Sequence, residues 1–131
     1  MLIFVDTSAF LAVLDADDLN HAAAAPTWEK IVGAGDILVC HNCILVETSA
    51  LVMRRLGIEA LRVFERDIVP VLHVEWIARE VHAAGVGAHL VAARRGLSLV
   101  DCISFEVMRR AGIRTAFAFD SHFREYGYET I

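Results

Sequence analysis

Long apolar runs are missing from this sequence, paired cysteines are missing, and lysine is nearly so. No apolar stretch approaches the ~18 residues of a membrane span, which excludes a membrane-crossing helix. Residues 1–10, MLIFVDTSAF, are too short an apolar stretch for a signal peptide and carry Asp6 too early. The expectation is therefore a cytoplasmic protein with no membrane partner. The three cysteines, Cys40, Cys43 and Cys102, are an odd count in a chain without such a signal, which argues against a disulfide framework. Cys40 and Cys43 flank a strand-to-helix junction where a thiolate would be stabilised. No second pair completes a zinc site, so strand-end packing is the simpler account of them. Lys30 is the sole lysine among 12 basic residues. The formal net charge of −5 opposes bulk nucleic-acid binding. The remaining basic residues are arginines, however, whose planar fork matches phosphate.

What is present suits one folded unit. A chain of 131 residues with 56% apolar and 22% charged content fits a single domain, residues 1–131, able to bury a core without staples. No repeat, low-complexity run or linker interrupts it. Residues 2–5 read as a buried strand, followed by a helix through Leu14 that Thr7 or Ser8 caps. An Ala-rich helix at 21–31 ends at Gly33 and Gly35. A second strand at 37–40 leads into a helix capped by Asn42 and stopped by Gly57. A further helix at 58–67 precedes a strand at 69–74. Residues 75–94 read as helical but loosened by Gly85 and Gly87. A helix from Ser98 to about Ala111, a strand at 115–119, a short helix at 121–126 and an edge strand at 128–131 complete the chain. Strands alternating with helices, too continuously apolar to face water, predict an α/β fold with a central parallel sheet of four or five strands between helices.

Ligand sites in such sheets form beyond the carboxyl ends of the strands. Asp6 follows the first strand and Asp120 the fourth. Glu47 lies in the second turn of the helix leaving the second strand, and Asp101 in the first turn of the helix entering the fourth. All four acids thus gather at one edge. Taken singly, Asp6 and Asp120 also read as helix caps, and Ser98 to Asp101 as a capping box. Glu47 interrupts an apolar stretch and has no such alternative. Two carboxylates ~4 Å apart repel by roughly 4 kcal/mol at an effective dielectric near 20, so a fold that collects four needs a cation or protons. Hard oxygen ligands favour Mg²⁺ or Mn²⁺ over Zn²⁺, and such ions activate water against phosphate esters.

The segments VDTSAF (5–10), LVETSAL (45–51), LSLVDCISFEVMRRAGI (97–113) and AFAFDSHF (116–123) resemble PIN-domain ribonucleases, most closely VapC-type toxins of toxin–antitoxin pairs. The resemblance runs in order along the whole chain. It implies a three-layer α/β/α PIN-like fold and a Mg²⁺- or Mn²⁺-dependent endoribonuclease, often acting on transfer RNA. By it, Asp6, Glu47, Asp101 and Asp120 match the family's four acidic positions, Asp6 and Asp101 being its principal metal ligands. Thr7 and Ser98 match neighbouring hydroxyl positions that hydrogen-bond acids or the metal's water. It further implies a homodimer and a small cognate antitoxin that blocks the acidic pocket. The glycine pair at Gly85 and Gly87 departs from the pattern, in a helix that usually supports the site.

Other residues carry two readings each. Asn42, with His41, stands at the sheet's carboxyl edge and either faces the pocket or serves the helix start. His122 either contacts substrate phosphate or is a surface helix histidine. Arg54, with Arg55, and the Arg109–Arg110 pair either contact RNA backbone or complement helix dipoles. Two rival functions remain. Another metal-dependent phosphoesterase is one; its aspartyl-phosphate form, a phosphohydrolase acting through Asp6, expects a second acid two residues on, where Ser8 stands. A catalytically weak PIN-fold binding module is disfavoured by four intact acids. Chelator-sensitive cleavage of RNA separates these.

Overall fold

The computed structural model describes residues 1–131. Strand β1 (Leu2–Val5) is the centre of a five-stranded, wholly parallel sheet of order β3-β2-β1-β4-β5. It pairs with β2 (Ile37–His41) in the register Ile3 to Leu38, and with β4 (Thr115–Phe117) in the register Ile3 to Thr115. Side chains of these three strands are buried on both faces apart from the first residue of β1 and β2. Helices therefore cover the sheet on both sides, as continuous apolar strands require. The edge strands β3 (Leu72–Glu75) and β5 (Glu129–Thr130) are short and partly exposed, which limits pairing with other chains.

Seven helices surround the sheet, in a three-layer α/β/α arrangement. They are α1 (Thr7–Leu14), α2 (His21–Gly33), α3 (Asn42–Leu56), α4 (Ile58–Val63), α5 (Arg79–Ala92), α6 (Leu99–Ala111) and α7 (His122–Glu125). Helix α1 packs on α2 and α3, α3 packs on α4, and α5 packs on α6. The core holds two aromatic groupings. Phe10 meets Trp28 and Phe64, while Phe123 meets Phe4 and Phe105.

Several boundaries differ from the sequence expectation. Of the candidate caps of α1, Asp6 takes the position rather than Thr7 or Ser8, its carboxylate accepting the Ser8 N–H. His41, not Asn42, caps α3: its Nδ1 accepts the Ile44 N–H at 3.3 Å. The Asn42 Oδ1 instead accepts the Ile77 N–H at 2.7 Å, tying α3 to the segment after β3. The helix expected at 58–67 becomes a π turn at Phe64–Ile68, then a 3-10 turn at Val69–Val71. Pro70 lies in that turn, so the strand begins at Leu72 rather than 69. Likewise β4 stops at Phe117, two residues early.

Helix α5 starts at Arg79 and runs unbroken through both glycines. Gly85 is buried, and a Cβ there would meet Ile103 Cγ1 at 2.6 Å and Ile103 Cα at 3.3 Å. The glycine is thus the point of close approach between α5 and α6, rather than a weakness in α5. Helix α6 carries Asp101, so this contact bears on the placement of the acids. No helix is long and apolar enough to cross a membrane.

Candidate metal centre

The chain runs outward from β1 to β2 and β3, then crosses back to add β4 and β5 on the other side. Strands β1 and β4 therefore flank the switch point, where a crevice opens at the carboxyl ends of the strands. The ladder continues one residue past β1, with the Asp6 N–H donating to Phe117 O at 3.1 Å. Asp6 is delivered to the mouth of that crevice by β1. Asp120 follows the tail of β4, and α6 presents Asp101 from its first turn.

Asp6 and Asp101 are only 5% and 8% exposed. Burial pushes the Asp6 carboxyl up to about 6, against the lowering effect of its Ser8 hydrogen bonds. The charges of Asp101 and Glu47 push it further upward, as expected of neighbouring acids. Asp101 is also raised, first by burial and then by Asp120, while hydrogen bonds from Ser98 and the nearby His122 oppose this. None of the four acids pairs with lysine or arginine; His122 alone approaches Asp101 and Asp120. Glu47 is half-buried on the second turn of α3. Asp6 and Asp101, raised by burial and by neighbouring carboxylates, with no lysine or arginine beside them, are a donor set that a hard divalent cation fits.

The hydroxyls divide differently from the expectation. Thr7 makes no hydrogen bond to an acid; its Oγ1 lies 3.0 Å from Thr48 Oγ1, a buried link between α1 and α3. The residue that holds Asp6 is Ser8. Its Oγ donates to Asp6 Oδ2 at 2.6 Å and its N–H donates to the same oxygen at 3.1 Å. Ser8 Oγ also accepts the Phe119 N–H at 3.0 Å. The signal was present in the sequence, because an acid two residues before a serine at a helix start is a common local capping pattern. Ser98 and Asp101 do form a reciprocal box. The Asp101 N–H reaches Ser98 Oγ at 3.0 Å and the Ser98 N–H reaches Asp101 Oδ2 at 3.1 Å.

His122 is not a surface residue. Its side chain is 13% exposed, with Nδ1 at 2.8 Å from Asp120 Oδ1 and 3.3 Å from Asp101 Oδ2. Nδ1 is buried yet makes no hydrogen bond, because neither oxygen lies along the ring N–H direction. The contact is one of proximity. The backbone N–H of His122 donates to Asp120 Oδ1 at 2.9 Å, which fixes the ring beside that carboxylate. Ligand atoms of Asp101, Asp120 and His122 all lie within 4.8 Å of one another.

Other expected residues stand apart. Arg54 is exposed in the last turn of α3, about 10 Å along the axis beyond Glu47 at ~1.5 Å per residue. Asn42 has its amide oxygen committed to Ile77. His41 turns inward: Nε2 lies 2.8 Å from Ser104 Oγ, which itself donates to Val100 O. Ser104 therefore accepts from Nε2–H, and burial lowers His41 to about 4, so it stays neutral. Cys40 is buried and its thiol is pushed up to about 12 by burial, which leaves no reactive thiolate at the junction. The apolar groove lined by Trp76, Ile77, Ala78, Val81 and Val107 includes none of the four acids.

Comparison with known proteins agrees with this geometry. The sequence profile described as "PIN domain" matches residues 3–128. The 23S rRNA-specific endonuclease VapC20 of Mycobacterium tuberculosis is 32% identical over 143 aligned positions, spanning 99% of this chain and 98% of that protein. The crystal structure of the same relative, titled a Sarcin-Ricin loop cleaving toxin, superposes with a TM-score of 0.83, covering 96% of this chain and 95% of that one. FitAcB of Neisseria gonorrhoeae superposes with a TM-score of 0.69 at 11% identity, over 100% of this chain and 96% of its own, a likeness of fold alone. The sheet order, the acids at its switch point and the full-length match establish that the chain belongs to the PIN domain family, in its VapC branch.

Proposed function

We propose that this protein is a metal-dependent endoribonuclease and the toxin of a toxin–antitoxin pair, acting on RNA in the cytoplasm. The observation that carries the reading is the pair Asp6 and Asp101, buried, raised in pKa and without a lysine or arginine partner. Asp6 and Asp101 hold the cation, Mg²⁺ or Mn²⁺, with Glu47 and Asp120 completing the acidic rim. When bound, the cation polarises a phosphoryl oxygen and lowers the pKa of a bound water. Ser8 aims Asp6 Oδ2, and Ser98 aims Asp101 through the capping box.

For the substrate, the 32% identical relative is named for 23S rRNA, and this directs the proposal to large-subunit ribosomal RNA before transfer RNA. A small cognate antitoxin that covers the acids and a homodimeric assembly complete the reading. Both rest on the family likeness.

The test is incubation of purified protein with intact ribosomes and, separately, with transfer RNA, in Mn²⁺ and in chelator, with cut sites mapped by primer extension. The expected result is discrete, chelator-sensitive cleavage of 23S rRNA that Asp6→Ala and Asp101→Asn abolish without loss of fold. Cuts confined to transfer RNA would overturn the substrate class. Unchanged cleavage in chelator, or by either variant, would overturn the enzyme reading.

A further inference from the structure

We propose that His122 Nδ1 ligates the same cation as Asp101 and Asp120, and that this nitrogen tilts the centre toward Mn²⁺ over Mg²⁺. The inference rests on the metal-dependent reading above and deepens it. No local sequence pattern marks His122 as a ligand, and three features of the structure do.

The first is the state of the atom. Nδ1 is buried and has no hydrogen bond, which buried ring nitrogens rarely tolerate. An imidazolium ion-paired with two carboxylates would direct its N–H along one of the contacts, and this ring directs it along neither. The second is spacing. Adjacent ligands on an octahedral ion with ~2.1 Å bonds stand about 3 Å apart. The separations of Nδ1 from Asp120 Oδ1 and Asp101 Oδ2 are 2.8 and 3.3 Å.

The third is how the ring is held. Its own backbone N–H grips Asp120 Oδ1 at 2.9 Å, so ring and carboxylate move together. On the far side the chain passes at Gly96, where even a Cβ would come only to 3.8 Å from Nε2. The ring therefore meets the acids with Nδ1 and the α5–α6 turn with Nε2.

The chemical consequence concerns selectivity. Mg²⁺ prefers oxygen donors and gives up water reluctantly, whereas first-row transition ions accept imidazole readily. An all-carboxylate rim would bind both ions by charge alone. One nitrogen among the oxygens favours Mn²⁺.

Pulsed electron paramagnetic resonance of the full chain loaded with Mn²⁺ tests this directly, together with Mn²⁺ and Mg²⁺ affinities by titration. The expected result is ¹⁴N modulation of the Mn²⁺ signal in the wild type, lost in His122→Gln. That variant should bind Mn²⁺ about tenfold more weakly while Mg²⁺ affinity moves less than about threefold. His122→Asn serves in its place where circular dichroism shows the glutamine variant misfolded. Mn²⁺ bound without ¹⁴N coupling, or coupling that survives in a folded variant, overturns the role of His122 and leaves the acidic centre standing. A wild type that binds no Mn²⁺ at all overturns both this inference and the proposed function.

Discussion

Ser8 donates its hydroxyl to Asp6 Oδ2 at 2.6 Å while the same oxygen, Oγ, accepts the Phe119 N–H at 3.0 Å. One side chain thus binds the end of β1 to the tail of β4, the two segments that deliver Asp6 and Asp120. A carboxylate held in this way loses little freedom on meeting a cation, which is how a preorganised ligand gains affinity.

Ser8→Ala is predicted to raise the Mn²⁺ dissociation constant about tenfold, the low end of the range for partners of metal ligands. The fold should lose on the order of 1 kcal/mol, as for one hydrogen bond. Thr7→Val is the contrast, because Thr7 faces Thr48 and no acid. It should cost similar stability and leave metal affinity unchanged. Titration calorimetry and thermal melts on both variants decide the matter; equal losses of affinity would put Thr7 back among the acids' supports.

Asp6→Asn should stabilise the metal-free protein at neutral pH. The Asp6 carboxyl is raised from 3.8 to about 6, chiefly by burial. Between those values the folded state binds more protons than the unfolded state, so stability falls as pH rises through that window. At ~1.4 kcal/mol per unit, the penalty above pH 6 is on the order of 3 kcal/mol. Asparagine keeps an oxygen for the cap and sheds the charge. In chelator, melts at pH 7.5 should show the variant several degrees above the wild type, and the gap should shrink near pH 4. Added Mn²⁺ should raise the wild type and not the variant. A variant less stable than wild type at pH 7.5 in chelator would show that the acids do not strain the fold.

The four acids were legible in the sequence because each stands at a strand end or in an early helix turn, and parallel α/β topology sends such positions to one edge. Their supports were less legible. Thr7 and Ser8 are adjacent hydroxyls, and only the rotation of α1 decides that Ser8 meets Asp6 while Thr7 meets Thr48. His122 stood out in the sequence only as a possible phosphate contact, because its second acidic neighbour, Asp101, lies 21 residues earlier in the chain. Residues 69–74 read as one apolar run, but Pro70 cannot serve a ladder position, and the strand waits for Leu72. Asn42 is a good cap by type, yet β2 extends one residue further and His41 takes the position.

Gly85→Ala should disturb the packing that carries Asp101. The added methyl would fall 2.6 Å from Ile103 Cγ1 and 3.3 Å from the Ile103 backbone, so side-chain rotation alone does not relieve it. A loss of about 1–3 kcal/mol is expected, as for overpacked cores, despite alanine's better helix propensity. Gly87→Ala, where nothing lies within 4 Å, should instead stabilise slightly. Denaturant titration of the two variants separates close approach from helix propensity. A stabilised Gly85→Ala would mean that α5 and α6 part freely.

Arg95 is predicted to hold substrate phosphate. It lies in the turn between α5 and α6, entered through Ala93 in the left-handed region at φ 51°. The following residue, Gly96, is the one that lies against His122 Nε2. Arg94 is committed to Glu125 at 2.9 Å, whereas Arg95 is exposed and makes no ion pair, so its guanidinium remains available to a ligand. A protein of net charge −5 needs such local cations to draw a polyanion toward an acidic site. In an Asp6→Asn background that does not cut, Arg95→Ala should weaken RNA binding and lower the slope of log K against log salt by about 0.7, one phosphate's share for a single strand. Mn²⁺ affinity should not move. Arg66→Ala removes an arginine already paired with Asp67 and should leave the slope unchanged. Fluorescence anisotropy across a salt series gives both slopes, and identical slopes for Arg95→Ala and the parent would remove Arg95 from the RNA path.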